Sequence, residues 1–358
     1  MRSHIIVDTH TGTPIQRVHP SEEDWKTSIT SVGTGRHAFQ LRDAETRLDR
    51  ATWQNLSIPW ARTLVTCWDN VPQYAGLIGG HIYDPFTGRL ELATAEIRAI
   101  FSSRMSFGVP QFDPNGVSTA TGSLRDIMRH IIFWGALQYG SSEGWWLPIA
   151  VPPVEGGSET RSWQHYNFET IEQLLSQIEG AEGGPDLHLR PRWGSTGLLE
   201  WEARIGTPLL DGPTFEYDMT AEETGLTGYP VHTDATRQLT GAFALGMGSE
   251  ADMKVGRATM ADVPGPIIPQ LDATRSFKTI ADPIELWRRA ISELRAFRWP
   301  SVAATPSVLA SDVLPSMTLG STIRVRFQDD EFLDDGWRSS LVTGISGDLT
   351  DKLTLEVQ

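Results

Sequence analysis

Residues 61–97 read ARTLVTCWDNVPQYAGLIGGHIYDPFTGRLELATAEI, and the punctuation of this stretch decides the fold. Three strand-like runs lie close together, at 61–68, 71 to about 83, and 89–95. In the third, Leu90 and Leu92 alternate with Arg89 and Glu91. Asp69-Asn70 separates the first two runs, a pair that tolerates the left-handed backbone of a tight hairpin turn. Asp84-Pro85-Phe86-Thr87-Gly88 separates the last two, with Pro and Gly as breakers. Connections this short carry no crossover, so the strands form an antiparallel meander and a parallel dinucleotide-binding core is not expected.

Upstream, residues 1–24 read as an extended arm with a short strand at 5–7. Strands are expected at 26–32 and 36–41, around Gly33-Thr34-Gly35, and 42–60 reads as polar and irregular. With the meander these make a first β-barrel domain, 1–105. Downstream, 106–212 reads as an α+β module. Ser123, with Asp126 three residues on, opens a helix whose apolar positions are Leu124, Ile127, Met128 and Ile131, with Gly140 to end it. A second helix is expected over 168–178, with Phe168, Ile171, Leu174, Leu175 and Ile178 in one stripe. The segments 187–192 and 198–205 read as a hairpin, with Leu199, Trp201, Ala203 and Ile205 facing one way. Residues 213–358 return to β structure. Strands are expected at 227–233 and 237–247, and a helix at 282–298 with Asp282 as N-cap and Pro283 at its first position. The apolar stripe of that helix is Ile284, Trp287, Ile291 and Leu294. A second meander, at 322–327, 338–346 and 352–357 with Gly347-Asp348 at its last turn, echoes the first. The expected fold class is α+β and β-rich, with two antiparallel β-barrels and an α+β module inserted between them.

The chain has 358 residues, enough for several domains. Thirteen Trp, 33 Gly and 22 Pro suit a turn-rich β protein. No apolar run is long enough to span a bilayer, and no stable membrane insertion is expected. The N-terminus MRSHIIVDTH lacks the apolar core of a signal peptide. The single Cys67 rules out an intramolecular disulfide and reads as a buried, inert thiol. The formal charge of −15 argues against tight binding of a phosphate backbone.

No motif supports an enzyme. Gly246-Met247-Gly248-Ser249-Glu250-Ala251 fits G-x-G-x-x-A, but no helical stripe follows it, so it reads as a turn. Residues 329–336, DDEFLDDG, resemble a calcium loop. Aligned on Gly336, however, they put Leu333 and Val342 at ligand positions, so a charged hairpin loop is the better reading. Asp8 and His10, Asp186 and His188, and His232 and Asp234 each sit two apart; every such pair reads more readily as a surface hydrogen bond than as a metal site. No catalytic residue, metal ligand or cofactor site is assigned. Trp145, Trp146, Trp163 and Tyr166 could stack on sugars, though core packing or an interface is the simpler use. With 45 Asp and Glu, no carboxylate pair stands out as that of a glycosidase.

The ordered set of segments resembles a known family. LVTCWDNVPQYAGLIGGHIYDPFTGRLELATAE is followed by LRDIMRHIIFWGALQ, YNFETIEQLLSQIEG, GPDLHLRPRW and LLEWEARIGTP. Then come GMGSE, DPIELWRRAISEL and the ending TIRVRF, LVTGISGD and LTLEV. This succession resembles the minor tail proteins of long-tailed phages (siphoviruses) that infect actinobacteria. Those are similar to the central baseplate hub of contractile-tailed phages. The resemblance spans the chain from about Trp25 onward. It implies a structural virion protein at the tail tip, assembled in the host cytoplasm as a homotrimer. The two barrels would be tail-tube-like, the second formed by 213–260 with 315–358. Three copies would then give a pseudo-sixfold ring that adapts the tube to a threefold tip and lines the channel for DNA ejection. The implied partners are a distal tail or tail-tube protein above, and tip, fibre and tape-measure proteins below or inside, with no specific nucleic-acid binding. No lytic or receptor-binding extension is expected after Gln358. The rival readings are a tail-tip cell-wall hydrolase and a carbohydrate-binding module.

Overall fold

A computed structural model describes residues 1–44, 47–137, 146–259 and 268–358. The chain divides into two compact units, 1–229 with 305–358, and 230–304. From the N-terminus, β1 (Arg2–Asp8), β2 (Pro14–Val18), β3 (Glu22–Ser28) and β4 (Thr34–Gln40) lead to a short helix, α1 (Arg50–Leu56). The quoted stretch follows as β5 (Arg62–Trp68), β6 (Val71–Asp84) and β7 (Arg89–Glu96). A 3-10 turn, Ile97–Ser103, leads into β8 (Val117–Gly122), α2 (Leu124–Leu137), β9 (Ile149–Ala150), β10 (Glu159–Gln164) and α3 (Ile171–Glu179). The hairpin β11 (Leu187–Trp193) and β12 (Leu199–Ile205) comes next, then β13 (Thr214–Asp218) and β14 (Leu226–Gly228). The second unit holds β15 (Val231–Asp234), β16 (Gly241–Leu245), β17 (Val255–Thr259), β18 (Asp272–Ser276), α4 (Pro283–Phe297) and β19 (Ser301–Ala304). The first unit then resumes with β20 (Ser307–Leu309), α5 (Ala310–Val313), β21 (Thr322–Phe327), β22 (Gly336–Asp348) and β23 (Lys352–Val357).

The meander forms as its turns dictate. Asp69 and Asn70 both have positive φ, 46° and 63°, the geometry that turns β5 directly into β6. One sheet then runs through the first unit in the order β14-β20-β23-β22-β3-β4-β7-β6-β5-β1-β2, with β21 and β13 branching from β22. Every ladder on that path is antiparallel; β13 joins β21 in parallel. Among the described residues no ladder closes either end of the path, so the sheet is open. The fold is β-rich with a minority of helix.

Strand alternation sends successive side chains to opposite faces. On β5, Leu64 joins Ile6, Phe39, Ile78 and Leu92 in an interior core, while Val65 and Cys67 point outward. The outward face packs on the central module. Ile127 and Ile131 of α2, Leu174 and Leu175 of α3, and Leu199 and Trp201 of β12 share one core with it. Burying each such side chain contributes roughly 1.5–3 kcal/mol. A further core, with Ile323, Val325, Val342, Ile345 and Leu355, lies under the C-terminal strands and includes Trp25 and Tyr74, whose rings stack at 5.8 Å.

Several expectations are corrected. The N-terminal arm is built into the sheet as β1 and β2. Residues 42–60 contain α1, capped by Asp49 and burying Trp53 and Leu56. The strands β8 and β10, which have no place among the elements expected of the central module, pair with each other. The second helix starts at Ile171, because Thr170 and Gln173 form a reciprocal capping box. Phe168 lies before it with a left-handed φ of 51°. Ser123 does receive the Asp126 N–H at 3.2 Å, but the Asp126 carboxylate turns instead to the N–H groups of Glu155 and Gly156. The run expected at 227–233 is two strands, β14 and β15. Near the C-terminus β22 continues through Asp348, so the turn falls at 349–351. Gly140, expected to end α2, lies outside the described residues.

In the second unit, α4 packs on the three-stranded sheet β17-β16-β18. Its N-terminus is as expected, with Asp282 accepting the Ile284 N–H. Its buried face matches the expected stripe only at Leu294. Leu286, Ala290 and Leu294 are the core residues, and Ile284 and Trp287 are exposed. Gly256 explains the close packing. A Cβ there would sit 2.2 Å from the Leu286 carbonyl carbon, so only glycine lets β17 approach the helix backbone this closely. Among the described residues no helix is long and apolar enough to cross a membrane.

Candidate assembly surface

The groups that drew attention in the sequence are dispersed. Asp8 accepts the N–H groups of His10 and Thr11 and pairs with Arg62 at 2.8 Å, so it ties a turn to β5. Asp186 accepts the Leu210 N–H. His188 is buried, and burial, with Arg204 and Arg190 nearby, pushes its pKa down to about 3. Asp234 accepts the Thr236 N–H. The glycines at 246 and 248 lie in the connection between β16 and β17, with no helix opening there beyond a single 3-10 turn. Cys67 is buried, and burial pushes its thiol up to about 12. Among the described residues no three His, Cys, Asp or Glu side chains converge as metal ligands would.

The aromatic set separates too. Trp163 is buried, donates to Gln177 at 2.9 Å and meets Trp134 edge-on. Trp146 is exposed and, with Trp60, lines a cleft of about 570 Å³. Tyr166 is also exposed. Trp145 lies outside the described residues.

Sequence reasoning missed a polar cluster inside the curled sheet. Glu23 and His37 are cross-strand partners on β3 and β4, and His4 and Thr66 are partners on β1 and β5. The two pairs meet across the interior. His4 Nε2 lies 2.9 Å from one Glu23 oxygen, and the Thr66 hydroxyl donates to the other. His37 Nε2 lies 3.3 Å from that second oxygen, close enough for charge attraction. Burial works to raise the Glu23 pKa, but His37 and His4 outweigh it and hold the carboxyl below its ordinary range. Nearby, Glu96 accepts from the Thr27 hydroxyl at 2.6 Å and the Gly33 N–H at 2.9 Å, and full burial raises its pKa to about 7. These bonds tie β1, β3, β4, β5, β7 and the β3–β4 turn to one another.

The exposed chemistry lies at strand edges and tips. β5 pairs with β6 as far as Leu77, and among the described residues β6 from Gly80 to Asp84 pairs with β7 alone. A bulge between Ile78 and Gly80 marks where this arm begins. Ile82, Tyr83 and Phe86 are 72%, 50% and 90% exposed on it. Asp84 accepts the Phe86 N–H and the Thr87 hydroxyl, while Arg42 donates to the carbonyls of Pro85 and Phe86, so the tip is held rigid. An ordered strand edge with apolar side chains is a template for another chain.

No family model matches the sequence, and no curated protein matches it significantly. Solved structures do. The tail protein from Neisseria meningitidis MC58 superposes with a TM-score of 0.57 at 13% identity, over 99% of this chain and 96% of that one. The 43 kDa tail protein of prophage MuSo2 from Shewanella oneidensis gives 0.58 at 9% identity, over 99% and 98%. A chain of the lidless PdpA–VgrG complex gives 0.51 at 8% identity, over all of this chain and 64% of that one. In fold, this chain matches tail proteins, one of them a prophage's, over nearly the whole length of both chains compared.

Proposed function

We propose that the chain is a structural protein of a long-tailed phage's tail tip: a homotrimeric hub that continues the tail tube and adapts its sixfold symmetry to a threefold end. The observation that carries this reading is the match to two tail proteins across almost their full lengths. Two features of the fold support it. The strands β1, β2 and β4–β7 supply one core, and β13, β14 and β20–β23, with Trp25 of β3 and Tyr74 of β6, supply another, a division that two tube-like domains would use. Three copies of such a pair would supply six units to a ring. In this reading the first domain covers 1–105, the α+β module 106–212, and the second domain is drawn from 213–358. The edge beyond Leu77 on β6 would be covered by a neighbour, and cyclic symmetry would limit the assembly's size. A distal tail or tube protein would sit above, with tip, fibre and tape-measure proteins below or inside. The acidic balance of −15 would let DNA slide through the lumen without sticking. No catalytic step is assigned. An actinobacterial host rests on the ordered sequence segments alone.

Light scattering after size exclusion, at several concentrations, tests the reading. A mass three times 39.6 kDa, with rings in electron micrographs, is the expected result. A monomer at every concentration, alone and with purified tail-tube protein, would overturn it.

A further inference from the structure

The outward face of α4 is a second stripe at helical spacing, opposite the buried one: Ile284, Trp287, Arg288, Ile291, Ser292 and Arg295. From Trp287 to Arg295 it forms a groove of about 300 Å³. Trp287 is 50% exposed. The acids of the helix do not serve this face, since Glu285 bonds Arg289 and Glu293 bonds Arg275. Among the described residues neither Arg288 nor Arg295 has an ion-pair partner. The groove is therefore lined by the apolar Trp287 and Ile291 and by two unpaired cations, Arg288 and Arg295. Residues 230–304 are close to neutral in an otherwise strongly acidic chain.

The first unit carries a knob of the opposite character. Between β21 and β22, Phe332 stands 88% exposed, flanked by Asp329, Asp330, Glu331, Asp334 and Asp335. The loop is pre-formed. Asp330 accepts the N–H groups of Phe332 and Leu333 at 2.9 and 2.7 Å, and Asp335 accepts the Asp329 N–H at 2.8 Å. Leu333 packs back on the core beneath. An aromatic anchor on a rigid loop loses little entropy on docking. Its acidic collar makes it repel any acidic surface it meets.

We propose that Phe332 of one copy seats in the α4 groove of a second copy, with its acidic collar against Arg288 and Arg295. Knob and groove are different surfaces, so the contact is head-to-tail, and repetition can close a ring. This rests on the self-assembling reading above and names a contact within it. The test is sedimentation of the full chain across a range of concentrations. Phe332→Ala and the pair Arg288→Glu/Arg295→Glu should each weaken self-association by about thirty-fold or more. All these positions are exposed, so unchanged circular dichroism and melting should accompany the loss. A mixture of the two variants keeps one intact knob and one intact groove, and should form heterodimers that neither forms alone. Adding Glu331→Arg/Asp334→Arg to the groove variant, which leaves the loop-holding Asp330 and Asp335 in place, should restore assembly. If wild type assembles and the variants assemble equally well, this contact is wrong and the hub reading stands. If wild type remains monomeric throughout, alone and with purified tail-tube protein, the hub reading fails and the contact with it.

Discussion

His4 Nε2 lies 2.9 Å from Glu23 Oε2, although β1 and β3 are separated in the sheet by β4, β7, β6 and β5. The sheet is curled enough for non-neighbouring strands to meet through their side chains. A buried carboxylate thus does between strands what backbone ladders do elsewhere, and it is satisfied only when the curl is complete.

Glu23→Gln should destabilise the protein by about 2 kcal/mol at neutral pH, since a buried charged acceptor is lost while its donors remain. The pH dependence has a definite sign. A carboxyl held below its unfolded pKa contributes stability that is present above that value and lost as pH falls through the folded one. The wild-type advantage in urea melts should therefore hold at pH 7 and shrink below about pH 4.5. An advantage that grows on acidification would refute the assignment.

Glu96 has the opposite sign. Its folded pKa is raised to about 7 by burial, so its stabilising contribution is full below the unfolded value and is lost as pH rises through neutrality. Wild type should lose melting temperature between pH 5 and pH 8, and Glu96→Gln should flatten that slope. Parallel slopes for the two proteins would show that Glu96 does not titrate there.

Arg98 forks between two acids of α3, with Nε 2.9 Å from Glu172 and Nη1 2.8 Å from Glu179. Only 11% of its side chain is exposed. Arg98→Met should cost about 1–3 kcal/mol. A double-mutant cycle with Glu179→Gln should show a coupling above about 0.5 kcal/mol. A coupling of zero would mean that the contact between the 3-10 turn and α3 rests on packing alone.

Cys67, with its pKa pushed up to about 12 by burial, should resist a thiol reagent at pH 8 in the folded protein. It should react at once in denaturant. Rapid labelling under native conditions would mean that the face of β5 against the central module opens readily.

Much of the fold was legible where the pattern was local. The alternation of Leu199, Trp201, Ala203 and Ile205 with Glu200, Glu202 and Arg204 describes β12 residue by residue. The Asp69-Asn70 turn and the Asp282-Pro283 helix start needed no tertiary information. Where two local patterns compete, the sequence is mute. Ile284, Trp287 and Ile291 make a bulkier stripe than Leu286 and Ala290, yet the sheet takes the second pair, with Leu294, because Gly256 of β17 lets the helix backbone come close at Leu286. Phe168 extends the apolar pattern of α3 backward, and only the Thr170–Gln173 capping box says where the helix begins. The cluster of Glu23, His37, His4 and Thr66 comes from four strands. Its members have no shared spacing, and only the curl of the sheet brings them together.

The ladder between β3 and β22 has a consequence in time. Trp25 pairs with Gly347, so the strand that covers this edge of β3 leaves the ribosome some 320 residues after it. At about 5–20 residues per second, that is a wait of roughly 15–60 s. For that interval each nascent chain offers an uncovered strand to every other chain on the same message. Synthesis at low temperature or low expression, or with a holding chaperone, should therefore raise the soluble yield more than any change to the purified protein's buffer.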